Sequence, residues 1–431
     1  MLQSNLSVNT AGHLAVAGVD TVSLAQQYGT PLYVMDEELM RRRMNTYVSV
    51  MRDCFPAGSM PLYASKAMSV KELYRIADQE QMGIDVVSSG ELYTALAAGF
   101  PAGRIYFHGS AKTAADLRYA MQSGIGCIIA DNETELVRIG QIAGELGIEQ
   151  HILLRLTPGI DPHTFAAVNT GMVDSKFGSA IETGQAKAIT GQALHTPNVI
   201  LDGFHCHIGS QIFDPQPFLD AIDIMTAFMA EMRSTFGYTA RVLNLGGGLG
   251  GRYTENDPVV DYEGSIRAAA ARLNERCAAL ALPVPAVLME PGRSIVADAG
   301  LTLYTVQHVK SIPGYKNYVA TDGGMADNPR FALYESQYTV LLANKAGAPA
   351  DFTADVAGRC CESGDLIGMD MRLQTPAVDD TLAVLVTGAY NYSMASNYNR
   401  LPRPAVVLVK NGGSRVVVRR ETFEDLIALD I

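Results

Sequence analysis

PLYASKAMSVKELYRIADQEQMGIDVV, residues 61–87, contains one complete unit of the architecture. Pro61–Ala64 is a short apolar run with the length and composition of a buried strand. Ser65 and Lys66 are the first polar residues after it. In Lys71–Gln81, Leu73, Ile76 and Ala77 recur at helical spacing and predict a helix with one apolar side. Gly83–Val87 is a second apolar run, broken only by Asp85. A strand, a helix and a strand on short connections make a βαβ unit with parallel strands.

The same rhythm runs on through Ile105–Phe107, Cys127–Ala130, Ile152–Leu156, Leu201–Cys206, Val242–Leu245 and Ala286–Met289, which gives eight candidate strands. Helix starts fall between them: Ser88–Glu91 and Asn132–Glu135 have capping-box spacing, and Thr113–Asp116 is a weaker relative. Eight units in succession predict a closed (β/α)8 barrel, with an open doubly wound sheet as the competing arrangement. After Arg293 the helical rhythm stops. Leu301–Val309, Tyr315–Ala320, Tyr338–Asn344, Thr353–Ala357, Thr381–Val386, Pro404–Lys410 and Arg415–Arg419 are strand-like and separated by turn signals such as Asn411-Gly412-Gly413. This part reads as an all-β domain. The expected division is an N-terminal segment, 1–35, packing with the β-domain, a barrel over 36–293, and the β-domain over 294–431.

The chain has 431 residues, 48% hydrophobic and 18% charged, enough apolar material for a large core and far from a disordered composition. A net charge of -12 with no basic patch argues against nucleic acid, while a few local cations still allow a small anionic ligand. Six cysteines, two of them adjacent and none in CxxC spacing, predict neither a disulfide framework nor a zinc site. No signal-peptide pattern opens the sequence, and no apolar run reaches the ~20 residues that span a membrane. A cytoplasmic protein without membrane contact is the expectation.

Barrel enzymes carry their sites on the loops leaving the C-terminal ends of the strands. The unusual residues fall there: Lys66 after the first run, Asp85 in the second, His108 after the third, His205 to Ser210 at the sixth, Gly246–Gly250 at the seventh, and Glu290-Pro291-Gly292-Arg293 at the eighth. In a closed barrel they converge, and that convergence carries more than any single motif. A lone lysine at a strand end is ordinarily solvated. In a partly desolvated pocket its pKa falls and its amine can form a Schiff base. Three consecutive glycines make either a tight turn or a phosphate cradle of N–H groups, which Gly292 and Arg293 would complete. A carboxylate at Glu290 could hold a pyridinium nitrogen protonated, or form a salt bridge to Arg293 or another barrel residue. His205 and His207 share one strand face and read as a metal pair without a third ligand, as core histidines, or as one imidazole stacked on an aromatic cofactor. In Cys360-Cys361-Glu362-Ser363-Gly364-Asp365, a polar glycine-containing loop suits a reactive thiol, whereas a buried cysteine is usually a small hydrophobe. Tyr390-Asn391-Tyr392-Ser393-Met394 is a polar, aromatic loop that could equally be a packed turn.

Taken together, YASKA (Tyr63–Ala67), HIGSQ (His207–Gln211), GGGLG (Gly246–Gly250), EPGR (Glu290–Arg293), CESGD (Cys361–Asp365) and YSMASNYN (Tyr392–Asn399) resemble the diaminopimelate decarboxylases, pyridoxal-phosphate enzymes of the alanine-racemase-like barrel type. The similarity runs in order from Pro31 to Pro404; the motifs are specific as a set and not singly. It implies a barrel followed by a β-sandwich-like domain, and decarboxylation of meso-2,6-diaminopimelate to L-lysine and CO2, the last step of lysine biosynthesis. Lys66 would hold pyridoxal phosphate through its amine, with Asp85 near that end. His207 would stack on the ring and Glu290 would pair with its nitrogen. Ser210, Gly248, Gly292 and Arg293 would hold the phosphate end, Arg293 also lying close to substrate. Arg330 and Tyr334 match substrate contacts of an NPRxxLY-like motif, which here reads NPRFALY. Glu362 would recognise the distal ammonium, and Tyr390 would touch cofactor and substrate. Cys361 would donate a proton from the partner subunit of a homodimer, with Cys360 a bystander.

Decarboxylases of ornithine, arginine, lysine or carboxynorspermidine on the same fold are the competing assignment. Cys361-Glu362-Ser363 with Arg330 instead suits a substrate whose far end carries both an ammonium and a carboxylate. A racemase would need an opposing base, often a tyrosine on the other ring face, and this chain has Cys361 in CESGD instead. A binding-only relative would have lost Lys66 or Cys361, and both are present.

Overall fold

The runs read as strands do hydrogen-bond side by side, in sequence order. The computed structural model describes residues 3–161 and 171–431, and the chain divides into two units. One unit is Arg43–Gly250 with Val260–Gly292. Its barrel strands are Met60–Ala64, Gly83–Val86, Ile105–Phe107, Cys127–Ala130, Gln150–Thr157, Val199–His205, Val242–Asn244 and Ala286–Met289, with the two-residue strand Ser179–Ala180 added beside the end of Gln150–Thr157. Each pairs in parallel with the next, and Leu288 of the eighth pairs with Met60 of the first. The sheet therefore closes into a barrel, and the open doubly wound arrangement is excluded. Strands five and six each begin two residues before the expected runs, where Val199 and Ile200 pair with Gln150 and His151.

Apolar burial holds the barrel. Leu62, Cys127, Ile129, Leu153 and Leu288, drawn from the first, fourth, fifth and eighth strands, form one buried cluster. Leu73, Ile76 and Ala77 are fully buried along Lys71–Gln79. Gly203 lets the sixth and seventh strands approach: a Cβ there would lie 1.8 Å from the carbonyl oxygen of Val242.

The helix caps reverse the expected ranking. Thr113 and Asp116, read as the weaker signal, form the reciprocal box: Thr113 Oγ1 accepts from the Asp116 N–H at 3.1 Å and Asp116 accepts from the Thr113 N–H at 3.0 Å. Ser88 and Asn132 each cap with one bond only. The longer Glu91 side chain reaches one residue further back, to the Val87 N–H, and Glu135 is engaged by Lys112.

The second unit is Met1–Arg42, Gly251–Val259 and Arg293–Ile431. Its nine-stranded sheet runs Leu366–Leu373, Phe352–Ala357, Lys316–Thr321, Gly300–Ile312, Leu32–Asp36, Ala405–Lys410, Gly413–Val418, with Thr381–Leu385 and Val340–Leu342 branching off Gly300–Ile312. That 13-residue strand is the spine. Its first half pairs with Leu32–Asp36 on one side and Thr381–Leu385 on the other, and its second half pairs with Lys316–Thr321.

Two expectations for this unit need correction. The part after Arg293 is not all β, since it holds the helices Arg293–Val296, Arg330–Tyr334 and Phe423–Ile427. Leu366–Leu373 is a strand the sequence does not announce, because Gly368 and Asp370 interrupt its alternation and Asp370 has φ +51°.

Thr113→Ala removes the cap that anchors Ala114–Gln122. We expect a loss of about 1 kcal/mol, read as faster amide hydrogen exchange confined to that helix; unchanged exchange there would refute the assignment of this cap.

Candidate active site

Residues following separate strands meet at the C-terminal end of the barrel. Glu290, one residue past the eighth strand, is 6% exposed. His108 Nε2 lies 2.9 Å and His205 Nε2 3.3 Å from its Oε1, and Asn244 Nδ2 donates to the same oxygen at 2.7 Å. Burial alone would raise the Glu290 pKa, but the two imidazoles outweigh it and hold the carboxyl well below its usual range. Burial keeps both imidazoles neutral, pushing His205 down to about 4. Neither ring is aligned for a hydrogen bond, and both nitrogens of His205 lack a hydrogen-bond partner although the residue is fully buried. Orphaned polar groups of this kind cost about 1–3 kcal/mol each and ask for a functional explanation. The ligand atoms of His108, His205 and Glu290 lie within 4.8 Å of one another, so they have the spacing of a metal site. The Asn244 amide hydrogen already on Oε1 would face any cation there. His207 is not part of this group, so the spacing-based pair His205–His207 is replaced by His205–His108.

Lys66 sits half-buried in the single turn Ser65–Ala67 that ends the first strand. Its ammonium acts electrostatically on Asp85, Glu91, His108 and His207. Asp85, 1% exposed in the second strand, is pushed up to about 8 by burial first and the Glu290 charge second, with Lys66 and Arg155 pulling the other way. The two buried carboxyls are thus pushed in opposite directions, Glu290 toward the ionised form and Asp85 toward the protonated one. His207 is held well below the usual imidazole range by burial and by the Lys66 and Arg155 cations. Its Nδ1 accepts the Gly247 N–H at 3.3 Å.

The glycine turn is required by the fold as well as suited to an anion. Gly246 and Gly248 have φ +68° and +131°, which side chains rarely adopt. A Cβ on Gly247 would lie 2.1 Å from the Glu290 carbonyl oxygen, and one on Gly292 would meet the Ala64 Cβ at 2.8 Å. Ser210 is half-buried close by in sequence to Gly209, whose carbonyl oxygen lies 2.6 Å from where a Gly248 Cβ would sit. These residues fit pyridoxal phosphate. An amine, a low-pKa carboxylate, a neutral imidazole and backbone too tight for side chains occupy the ends of the strands.

In the second unit, cations and tyrosines gather. The buried Arg293 guanidinium lies 4.8 Å from the Tyr390 ring centroid and 5.6 Å from that of Tyr253, and it donates to the Tyr253 hydroxyl. Arg330, also buried, lies 5.5 Å from the Tyr390 ring and 5.1 Å from the Tyr334 ring, and its Nε has no hydrogen-bond partner. Four of the expected contact residues, Arg293, Arg330, Tyr334 and Tyr390, therefore form one cluster. Cys361 and Glu362 form another, on an exposed loop. The Cys361 N–H donates to Asn399 Oδ1 at 2.7 Å, and Tyr398 donates to Glu362 at 3.2 Å, so CESGD and YSMASNYN bind each other. Asp365 pins the loop by accepting the Cys360 and Met325 N–H groups at 2.6 Å. Burial and the Asp365 charge push the Cys360 thiol up to about 12.

Sequence reasoning missed Arg155, Asn244, Tyr253 and Tyr338. Arg155 and Asn244 left a signal, each being the one strongly polar residue inside an otherwise apolar run. Tyr253 and Tyr338, whose ring centroids are 5.5 Å apart, left none.

Known proteins match this arrangement. A family model described as the pyridoxal-binding domain of pyridoxal-dependent decarboxylases matches residues 40–297. The chain is 46% identical to a diaminopimelate decarboxylase of Bacillus subtilis over 426 residues, 98% of this chain and 96% of that one. It is 47% identical to the diaminopimelate decarboxylase of Bacillus methanolicus over 414 residues, 96% of each. A crystal structure of diaminopimelate decarboxylase from M. jannaschii with L-lysine has a TM-score of 0.92 at 33% identity, covering 100% of this chain and 99% of that one.

Folded Asp85 keeps its proton up to about pH 8, whereas the unfolded chain releases it near 3.8. The folded state binds more protons across that window, so this group's contribution to stability falls as pH rises through it. In the cofactor-free protein, Asp85→Asn should flatten the decline in melting temperature over that range. An unchanged slope would show that Asp85 is ionised when folded.

Proposed function

The chain belongs to the pyridoxal-dependent decarboxylases, and on that premise we propose how its residues divide the work. It decarboxylates diaminopimelate to lysine and carbon dioxide with pyridoxal phosphate as cofactor. The observation that carries this reading is the electrostatic coupling of Lys66, Asp85, His207 and Glu290 at one end of the barrel, in a chain that matches its relatives over nearly all its length.

Bound pyridoxal phosphate supplies an electron sink for the charge left when a carboxyl group departs as carbon dioxide. Lys66 holds the cofactor through its amine. Glu290 keeps a proton on the ring nitrogen, and its low pKa in this structure supports that role. His207 orients the ring as a flat, neutral partner. Gly248, Ser210 and Gly292, with Arg293 next in the chain, hold the phosphate end. The protonated Asp85 carboxyl lies at the Lys66 end.

The substrate contacts are assigned to Arg293, Arg330, Tyr334, Tyr390 and Glu362. Tyr390 touches cofactor as well as substrate. Two buried arginines suit carboxylates, and Glu362 suits the distal ammonium of a meso-configured substrate. Cys361 delivers the proton that replaces the lost carboxyl group. Its exposed loop supports a homodimer in which each subunit lends this thiol to the other's site. Six free cysteines support a cytoplasmic, reducing location, and no helix among the described residues is long and apolar enough to cross a membrane.

Carbon dioxide release from meso-diaminopimelate, ornithine and lysine tests the substrate; turnover of ornithine alone would overturn the assignment. Lys66→Ala should abolish the bound cofactor's absorbance band and the activity with it. Cys361→Ala should slow turnover about 10²- to 10⁴-fold, the usual size of a general-acid contribution. Mixed Lys66→Ala and Cys361→Ala subunits should regain activity, and no recovery would refute shared sites.

A further inference from the structure

Glu290 is held asymmetrically. His108, His205 and Asn244 come from the third, sixth and seventh strand ends, and all three address Oε1. Among the described residues, the hydrogen bond and both imidazole approaches to this carboxylate fall on Oε1 and none on Oε2. The Asn244 amide is itself oriented, because its Oδ1 accepts the Gly246 N–H at 2.9 Å, which turns Nδ2 toward Glu290. We propose that Asn244, His205 and His108 are positioning residues that occupy Oε1, keep the Glu290 carboxylate ionised inside the barrel, and leave Oε2 to face the cofactor's ring nitrogen. This rests on the pairing of Glu290 with that nitrogen.

Neutral neighbours are what such a task needs. A cationic imidazole would cancel the carboxylate's charge and weaken its hold on a ring proton, whereas a neutral ring packed 2.9 or 3.3 Å from Oε1 takes up that oxygen's side of the carboxylate and leaves its charge in place. Both histidines are held neutral by burial. The other groups that act on Glu290 electrostatically are Asp85, Arg155, Cys206 and His207. Burial pushes Asp85 toward its protonated form, which lessens the negative charge beside Glu290. Arg155 lies 4.3 Å from the Phe177 ring centroid, so its cation already has an aromatic partner. The unsatisfied nitrogens of the fully buried His205 fit a residue retained for what it does to Glu290.

Two measurements on the full-length protein test this. With cofactor removed, carbon-13 NMR of labelled glutamate carboxyls follows Glu290, identified by the signal lost in Glu290→Gln. In the parent protein that signal should stay ionised from acid to neutral pH. In Asn244→Ala and His205→Phe its midpoint should move upward, and His205→Gln, which restores an N–H near Nε2, should bring it back. With cofactor reloaded, the two disruptive variants should release it roughly 10- to 100-fold faster, the effect seen when an outer partner of a bound group is removed. An unmoved Glu290 midpoint in folded Asn244→Ala, His205→Phe and His108→Phe overturns the proposal. A moved midpoint with unchanged cofactor release overturns the assignment of Oε2 to the ring nitrogen. Parent protein that shows no cofactor absorbance would sink the functional reading itself, and the cofactor-free titration would still report on Glu290.

Discussion

Burying the Glu290 carboxylate costs several kcal/mol unless neighbouring groups answer its charge, and the barrel answers it from three other strand ends. His108, His205 and Asn244 are far from Glu290 in sequence and reach one oxygen of it only because the eight strands close in register. A slip of one residue in any of those strands would turn its side chains to the opposite face. The Gly246–Gly247 turn ties this arrangement to the rest of the site. The Gly246 N–H fixes Asn244, the Gly247 N–H fixes His207, and the Gly246 carbonyl accepts the Glu290 N–H at 2.8 Å. One turn without side chains thus sets the angle of an amide, an imidazole and a carboxylate.

The barrel was legible because its strands are apolar runs bounded by polar punctuation, and all eight lie where those runs do, within two residues at most ends. The polar strand ends marked Lys66, Asp85, His207 and Glu290 for the same reason. The groups left out are those whose meaning lies in a partner distant in sequence. Asn244 looks like a strand residue until Glu290 is beside it, and Tyr253 follows a glycine turn 85 residues before Tyr338. Capping strength was misjudged because spacing does not reveal competition. Glu135 has the reach for a capping box, yet Lys112 holds its carboxylate at 2.6 Å.

The sheet unit assembles its groups differently. Arg293, Arg330 and Tyr390 meet through stacking distances between cations and rings, while the Cys361–Glu362 loop is held by one hydrogen bond to Asn399, one from Tyr398, and the buried Asp365 beneath it. Buried arginines among tyrosines are stiff, since planar groups packed on planar groups have few alternatives. A loop exposed on one side and pinned at its base keeps its shape while presenting Cys361 outward.

Neither unit is a continuous piece of chain: the sheet unit takes residues from both ends and from Gly251–Val259 between them. Its strand Leu32–Asp36 lies between Gly300–Ile312 and Ala405–Lys410, so both neighbours are synthesised long after it. At ordinary ribosomal speed the wait for the second is roughly 20–75 s. For that time five residues that end up wholly buried, Leu-Tyr-Val-Met-Asp, have two unpaired edges. Birth on the ribosome is then the moment of greatest aggregation risk for this chain, and crowded translation at high temperature should be the condition under which it depends most on a holding chaperone.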